Sequence, residues 1–227
     1  MLLTANAASQ QREFCTGNIP DVDEEIASCT KVIQSGQETT QSEAVVYNNR
    51  GNAYAAKGNN DRAIADYNEA IRLDPNYTHA YFNRGRGYAA RGDYDRAIAN
   101  YNEAIRLDPE FSVAYNNRGV AYKAKGDNDR AIADYNEAIR LDPKYTDAYN
   151  NRGTAYVVKG DSSRAIADYS EAIRLDPQYA DAYHNRGNAY VVEGDNDRAI
   201  ADYRRALKLD PTMKEARDQL QRLGVSP

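Results

Sequence analysis

The segment "YNNRGNAYAAKGNNDRAIADYNEAIRLDP", residues 47–75, decides the fold because nearly the same 29 letters return four more times. Five prolines and five glycines stand 34 residues apart, at Pro75, Pro109, Pro143, Pro177 and Pro211 and at Gly51, Gly85, Gly119, Gly153 and Gly187. The spacing holds without an insertion from residue 44 to residue 213. An exact period of this length predicts an array of one small structural unit.

Each repeat carries two helix patterns. Apolar residues recur with helical spacing at Ala44, Tyr47, Gly51, Tyr54 and Ala55, and again at Ala63, Ile64, Tyr67, Ala70 and Ile71. Between the two patterns, Gly58 suits the left-handed end of one helix and an Asn suits the cap of the next. Asp74 and Pro75 are expected to cap and begin the following helix. One such hairpin cannot bury its apolar face alone, so the hairpins must stack.

The pattern resembles the tetratricopeptide repeat over about three quarters of the chain. Counting places from Ala44, Tyr stands at places 4, 11 and 24, Gly at 8, Ala at 20 and 27, and Pro at 32. The resemblance implies an all-α, right-handed superhelical solenoid of stacked helical hairpins. Its five full repeats, numbered 1 to 5 below, are 44–77, 78–111, 112–145, 146–179 and 180–213.

Place 7 departs from the family, which usually has Leu there. Arg occupies it in every repeat, at Arg50, Arg84, Arg118, Arg152 and Arg186. An Arg can bind an anionic ligand with two parallel hydrogen bonds. However, every repeat also has Asp at place 31, and four of the five have Asp at place 23. We therefore expect a ladder of Arg–Asp pairs between neighbouring helices rather than a binding site.

The two ends of the array are less regular. Residues 214–227 begin with "KEARDQLQRL", which is polar and helix-prone and predicts a C-terminal capping helix and tail. Residues 1–43 are expected to hold a signal-like remnant and a degenerate half-repeat cap. Within them, residues 23–36 align with residues 61–74 and predict the second helix of that half repeat. Its first helix is missing or reduced to the stretch before Pro20.

Cys15 and Cys29 are the only cysteines, and both fall in the N-terminal cap. A disulfide would stabilise a cap that lacks half its hairpin, whereas two reduced thiols in a cytosolic protein are the alternative. Ala5 and Ala7 form an A-x-A pattern like the end of a secretory signal, although the basic start and apolar run are absent. Resemblance to exported bacterial repeat proteins with a Cys pair before an "NRG" array favours export; a cytoplasmic location is the alternative.

Composition and motifs argue against several classes of function. The mean hydropathy of −0.83 argues against a membrane-embedded body, and the net charge of −5 argues against a nucleic-acid partner. The sequence has no phosphate-binding glycine loop, metal-ligand spacing or nucleophile signature. His79 and His184 lie three repeats apart. We therefore expect neither catalysis, nor a cofactor, nor a metal.

The first helix of each repeat varies at places 2, 5, 9 and 12, which share one stripe of the helix. In tetratricopeptide repeats that stripe lines the concave groove that binds peptides, so the resemblance implies the same role here. The predicted groove residues are Asn48, Asn52, His79, Phe82, Asn83, Arg86, Asn116, Lys123, Asn150, His184 and Asn188. Unselected drift of solvated positions is the alternative explanation of the variation.

Particular side chains suggest particular contacts in this groove. Asn48, Asn116 and Asn150 can donate to and accept from a peptide backbone, while Phe82 and Arg86 suit an apolar anchor and an anion contact. Four residues are similar to the carboxylate clamp of the family's chaperone-binding members: Asn52, Asn83, Arg86 and Lys123. Asn48 stands where that clamp needs a Lys.

We therefore predict a non-catalytic scaffold or adaptor that binds a protein or peptide in the groove. The alternative is a structural protein that assembles with copies of itself through its near-identical repeats. Its solution mass would then rise with concentration.

Overall fold

The structure is a computed structural model that describes Cys15 and residues 21–226. Within this part of the chain all regular structure is α-helical. The helices are α1 (Val22–Ser35), α2 (Thr40–Ala56), α3 (Asn60–Leu73), α4 (Thr78–Ala90), α5 (Tyr94–Leu107), α6 (Ser112–Ala124), α7 (Asn128–Leu141), α8 (Thr146–Val158), α9 (Ser162–Leu175), α10 (Ala180–Val192), α11 (Asn196–Leu209) and α12 (Lys214–Arg222). The predicted all-α class is confirmed. Ala5, Ala7 and the stretch before Pro20 lie outside the described residues.

The chain divides into two compact units, Met1–Ala121 and Tyr122–Pro227. Consecutive helices pack as hairpins inside each unit, for example α2 with α3 and α10 with α11. This packing confirms the expected stacking of helical hairpins. None of the helices in the described ranges combines the length and apolar character needed to span a membrane.

The turns inside the hairpins follow the sequence prediction, but the connections between hairpins do not. Gly58 takes a left-handed φ of 74°, and Asn59 caps α3 by accepting from the backbone amide of Arg62 at 3.2 Å. Between hairpins, Asp74 and Pro75 precede α4 and lie in a turn, not in its first turn of helix. Asp74 is extended, with φ −132° and ψ 94°, because a residue before proline avoids the helical region.

Tyrosine at place 24 forms the centre of each hairpin. Tyr67 is 2% exposed, and a Cβ placed on Gly51 would lie 2.6 Å from its Cε1 atom. The ring therefore packs directly on the backbone of the first helix, where only glycine fits. Its hydroxyl donates to Asn52 Oδ1 at 2.9 Å, which satisfies the polar end of a buried ring.

Two glycines in α4 give a matched test of this packing. We expect Gly85→Ala to lower the free energy of unfolding by about 2 kcal/mol, because its Cβ would lie 2.7 Å from Tyr101 Cε1 and overpacking outweighs helix propensity. Gly87→Ala, two residues away, should be neutral or stabilising. The other four repeats carry Ala at that place, and the atom it would meet is the side chain of Ile64. Urea denaturation of both variants tests this, and equal midpoints would contradict the packing argument.

The Arg at place 7 connects three helices. Arg50 donates from Nε and from its terminal nitrogen to both carboxylate oxygens of Asp66 at 2.8 Å, and from its other terminal nitrogen to Thr30 at 3.1 Å. Equivalent pairs join Arg152 to Asp168 and Arg186 to Asp202. The Arg–Asp ladder is therefore confirmed, with its acceptor at place 23.

The second contact of each Arg links consecutive hairpins. In repeats 2 to 5 it reaches the second helix of the preceding hairpin, at the residue 16 positions earlier. The pairs are Arg84–Asn68 and Arg118–Asn102 in the first compact unit, and Arg152–Asn136 and Arg186–Ser170 in the second. Each guanidinium also lies over the tyrosine at place 4, as Arg152 does over Tyr149 at 5.5 Å. The Arg of the "NRG" signature therefore stabilises the packing of consecutive hairpins.

A disulfide between Cys15 and Cys29 closes the N-terminal cap, with 5.0 Å between the two Cα atoms. Both residues are buried beside Val32 and Val46, and the carbonyl of Cys15 accepts from Asn49 Nδ2 at 2.9 Å. Cys15 therefore packs against α2. The predicted pairing is confirmed, and a disulfide is compatible with an exported protein.

Helix α12 covers the last hairpin at the other end of the array. Ala216 and Leu220 are fully buried and pack with Tyr190 and Tyr203. Its remaining residues are largely charged or polar. The helix therefore buries apolar surface that a further repeat would otherwise cover.

Candidate functional site

A pocket of about 440 Å³ lies among the first helices of the hairpins in the unit Met1–Ala121. Its polar lining comes from Asn52 on α2, Asn60 on α3, Asn83 and Arg86 on α4, and Asn117 on α6. Tyr67, Tyr101 and small alanine side chains complete it. The structure therefore brings together three of the predicted groove residues, Asn52, Asn83 and Arg86.

Three of the four asparagines of the pocket each have one side-chain atom in use and one left for a ligand. Asn52 Oδ1 accepts from Tyr67, which leaves its Nδ2 donor. Asn83 Nδ2 donates to Asn48 at 3.0 Å, and Asn117 Nδ2 donates to the carbonyl of Val113 at 2.8 Å. Each of these two retains its Oδ1 acceptor. The pocket thus offers both donors and acceptors.

Arg86 supplies the charge of the pocket. Its side chain is exposed, its Cζ lies 6.0 Å from the centre of the Phe82 ring, and it forms no ion pair within the described residues. Burial raises the pKa of Tyr101, and the nearby Arg86 guanidinium partly opposes that rise. Tyr101 therefore stays a neutral donor at physiological pH. The site is cationic in a chain whose net charge is −5.

Asn60 and Asn117 line the pocket but are not among the predicted groove residues. Asn117 stands at place 6, where every repeat has Asn, so variation between repeats does not indicate it. The sequence feature that could have indicated Asn117 is the polar residue at the same place of every first helix. Asn83 stands at the same place, and it is a predicted groove residue only because of its similarity to a carboxylate clamp.

Phe82 and His79 do not line the pocket. Phe82 is only 8% exposed, and its ring centre lies 4.9 Å from Phe111 and 5.8 Å from Tyr101. It is a core side chain, whereas an apolar anchor needs surface that a ligand can reach. His79 is exposed and contacts Phe111, with 5.5 Å between ring centres.

The predicted backbone-binding asparagines at place 5 are buried. Asn48, Asn116 and Asn150 are each less than one-tenth exposed. Asn48 Oδ1 accepts from Asn83, and Asn150 Oδ1 accepts from Asn185 at 3.0 Å. In these two pairs, place 5 joins one first helix to the next, because it faces the following hairpin. These contacts occupy the atoms that a peptide backbone would need.

The unit Tyr122–Pro227 holds the remaining predicted residues. Asn188 Oδ1 accepts from Tyr203 at 2.8 Å, and Asn188 Nδ2 lies 3.4 Å from His184 Nε2. Burial lowers the pKa of His184 and raises that of Tyr203 to about 12, so both side chains are neutral at physiological pH. Burial also lowers the pKa of Lys123. This unit has no equivalent of Arg86 at place 9, where it carries Thr154 and Asn188.

The described residues contain no group of three or more His, Cys, Asp or Glu side chains that could hold a metal ion. The acids instead serve caps and ion pairs. Asp93, for example, caps α5, and Arg96 hydrogen bonds lower the pKa of its carboxyl. The side chains that line the pocket offer hydrogen bonding and charge pairing to a ligand.

Solved structures of similar proteins cover most of the chain. MamA is 29% identical with a TM-score of 0.65, and the match covers 73% of this chain and 96% of MamA. YrrB, described as a TPR protein with an unusual peptide-binding site, is 23% identical with a TM-score of 0.65, over 85% of this chain and 97% of YrrB. A thermophilic TPR protein in Thermus thermophilus is 22% identical with a TM-score of 0.64, over 79% of this chain and 97% of that protein.

Family models match the chain without a gap from residue 44 to residue 213. Of two models described as tetratricopeptide repeat, one matches residues 44–77 and 180–213 and the other matches residues 66–99. The model described as TPR repeat matches residues 85–126, 121–160 and 153–194. No curated protein sequence matches the chain. With its hairpins, its Tyr–Gly packing and these matches, the chain belongs to the tetratricopeptide repeat family.

Proposed function

We propose that this protein is a non-catalytic scaffold that binds an extended peptide segment of another protein in the pocket around Arg86. The observation that carries the proposal is the convergence of Arg86 with four asparagines on one cavity of about 440 Å³. Membership of the tetratricopeptide repeat family supports a protein-interaction role.

The donors and acceptors of the pocket match a peptide group. Arg86 and Asn52 Nδ2 donate to a backbone carbonyl or a carboxylate, while the Oδ1 atoms of Asn83 and Asn117 accept from a backbone amide. The apolar part of the lining comes from Ala55, Ala56, Ala89 and Ala90, which leave room for a small adjacent side chain. These contacts bind the peptide backbone and one negative charge, so the ligand sequence affects the affinity mainly at the acidic position.

YrrB provides a precedent of fold for a peptide ligand, because it is a TPR protein described with an unusual peptide-binding site. At 23% identity the likeness extends to the fold and not to the contacting residues. The choice of Arg86 and its neighbours rests on the geometry of this chain alone.

Selection from a displayed library of random peptides tests the proposal. Enriched peptides should bind wild-type protein and lose about 10-fold or more in affinity to Arg86→Gln, since a hydrogen bond to a charged group is worth about 1.5–3 kcal/mol. Arg91→Gln is the matched control, because Arg91 follows the same helix, is exposed and pairs with Asp61 outside the pocket. Failure to enrich any peptide, or equal binding by Arg86→Gln, would reject the pocket.

We also propose that the protein is exported, on the basis of the disulfide in its N-terminal cap. Protein isolated from its own cells without reductant should not react with thiol reagents, and should react at two cysteines after reduction and unfolding. Free thiols in the isolated protein would place it in a reducing compartment instead.

A further inference from the structure

The second helix of the last repeat, α11, departs from the other four at three neighbouring places. Place 25 is Asn in repeats 1 to 3 and Ser in repeat 4, place 26 is Glu in all four, and place 29 is Arg in all four. In the last repeat these places are Arg204, Arg205 and Lys208. The change turns a net neutral set into three cations.

In the earlier repeats these places make internal contacts. The Glu and Arg at places 26 and 29 form ion pairs at 2.6–2.8 Å, in Glu69–Arg72, Glu103–Arg106, Glu137–Arg140 and Glu171–Arg174. Place 25 accepts from the place-7 Arg of the following repeat, as Asn68 does from Arg84. In α11 the Glu of the ion pair is replaced by Arg205, and no place-7 Arg follows the last repeat, so neither contact forms.

The three cations share one face of α11 and have no carboxylate partner within the described residues. Positions 204 and 208 are four apart, and positions 205 and 208 are three apart, so all are neighbours on the helix surface. Like charges at this spacing destabilise a helix, where the other repeats have a stabilising pair. The last repeat therefore lacks the local ion pair of the other repeats and has three positive charges at these places.

Two of these side chains are held in place by contacts that leave their charge unneutralised. Arg205 lies 5.7 Å over the Tyr183 ring and donates to the carbonyl of Pro177 at 3.4 Å. Arg204 donates to the carbonyl of Ser226 at 3.5 Å. A guanidinium stacked on a ring loses less freedom when it binds a carboxylate with two parallel hydrogen bonds.

We propose that Arg204, Arg205 and Lys208 form a second docking surface, which binds an acidic segment of a partner protein. Discrete carboxylates suit a surface of three closely spaced cations better than a polyanion does. Attraction to a nucleic acid or an anionic membrane grows with basic charge spread over a wide area, and this chain is acidic overall. The N-terminal end of α11 is itself negative, with Glu193 and Asp195 before the helix and Asp197 in its first turn, and would repel such an extended polyanion.

The test uses a fluorescent octa-glutamate peptide and the full chain. The variant Arg204→Asn, Arg205→Glu, Lys208→Arg gives α11 the letters that already fold in repeats 1 to 3, and restores a Glu–Arg pair. We expect wild-type protein to bind the peptide, with affinity falling as NaCl rises, and the triple variant to bind at least about 10-fold more weakly. The same comparison in the Arg86→Gln background, where the pocket has lost its cation, should show the same loss, which separates this surface from the pocket.

Three outcomes would overturn the proposal. In the first, the triple variant has an unchanged circular dichroism spectrum and binds the peptide as wild type does. In the second, Arg86→Gln alone loses binding, which assigns the acidic segment to the pocket. The third is equal or tighter binding of single-stranded DNA or phosphatidylserine vesicles, also lost in the triple variant, which would make the surface a general polyanion site.

Discussion

Replacing Arg152 with leucine, the residue that the family usually has at place 7, is expected to lower the free energy of unfolding by about 3 kcal/mol. The substitution removes two hydrogen bonds of 2.8 and 2.6 Å to Asp168, whose side chain is only 8% exposed. It also removes the contact to Asn136 that ties two hairpins together. A buried carboxylate without its partner is the largest part of the cost.

The double variant Arg152→Leu, Asp168→Ala is the control for this explanation. Removing the orphaned carboxylate should recover part of the loss, so the two substitutions should not be additive. Chemical denaturation of the wild type, both single variants and the double variant gives the coupling energy. A double variant whose loss equals the sum of the two single losses would show that the pair does not act as a unit.

Reduction of the Cys15–Cys29 disulfide is expected to destabilise the N-terminal cap by about 3 kcal/mol, from the entropy of a loop closed over 14 residues. The effect should be local, because repeat arrays unfold partly in segments. Hydrogen exchange of α1 should therefore accelerate by about 100-fold in reductant. Exchange in the central helices, such as α5, should change far less.

The variant Cys15→Ser, Cys29→Ser controls for effects of the reductant itself. Its α1 should exchange rapidly with or without reductant, and should match the reduced wild type. If reduction leaves the exchange of α1 in the wild type unchanged, the half repeat holds itself together by packing, and the disulfide contributes little.

Most of the fold follows from spacing that the sequence displays directly. A period of 34 residues with a helix pattern on each side of Gly58 gives the hairpin, and the tyrosine at place 24 opposite the glycine at place 8 gives its packing. The Arg ladder was predicted because each place-7 Arg has an acid in the same repeat. Which acid pairs depends on helix geometry, and place 23 lies beside the Arg whereas Asp74 lies in the turn.

The residues of the candidate site could be predicted from the sequence only in part. A stripe of varying places identifies one side of a helix, but neighbouring hairpins cover part of that side. Place 5 lies where two first helices meet, which is why Asn48 and Phe82 are buried. Place 9 lies further toward the opening, so Asn52 and Arg86 line the pocket. Telling covered from open places needs the distance between hairpins, which no single repeat encodes.

The proposed function rests on the chemistry of one pocket, and a nuclear magnetic resonance titration addresses it most directly. A peptide selected on the wild-type protein is added to ¹⁵N-labelled chain, and the side-chain amides of Asn52, Asn83 and Asn117 and the Nε of Arg86 are followed. We predict that these four signals shift together with one affinity, and that the asparagine shifts disappear in Arg86→Gln. Unchanged pocket signals, with shifts on α9 or α11 instead, would contradict the assignment of the peptide site.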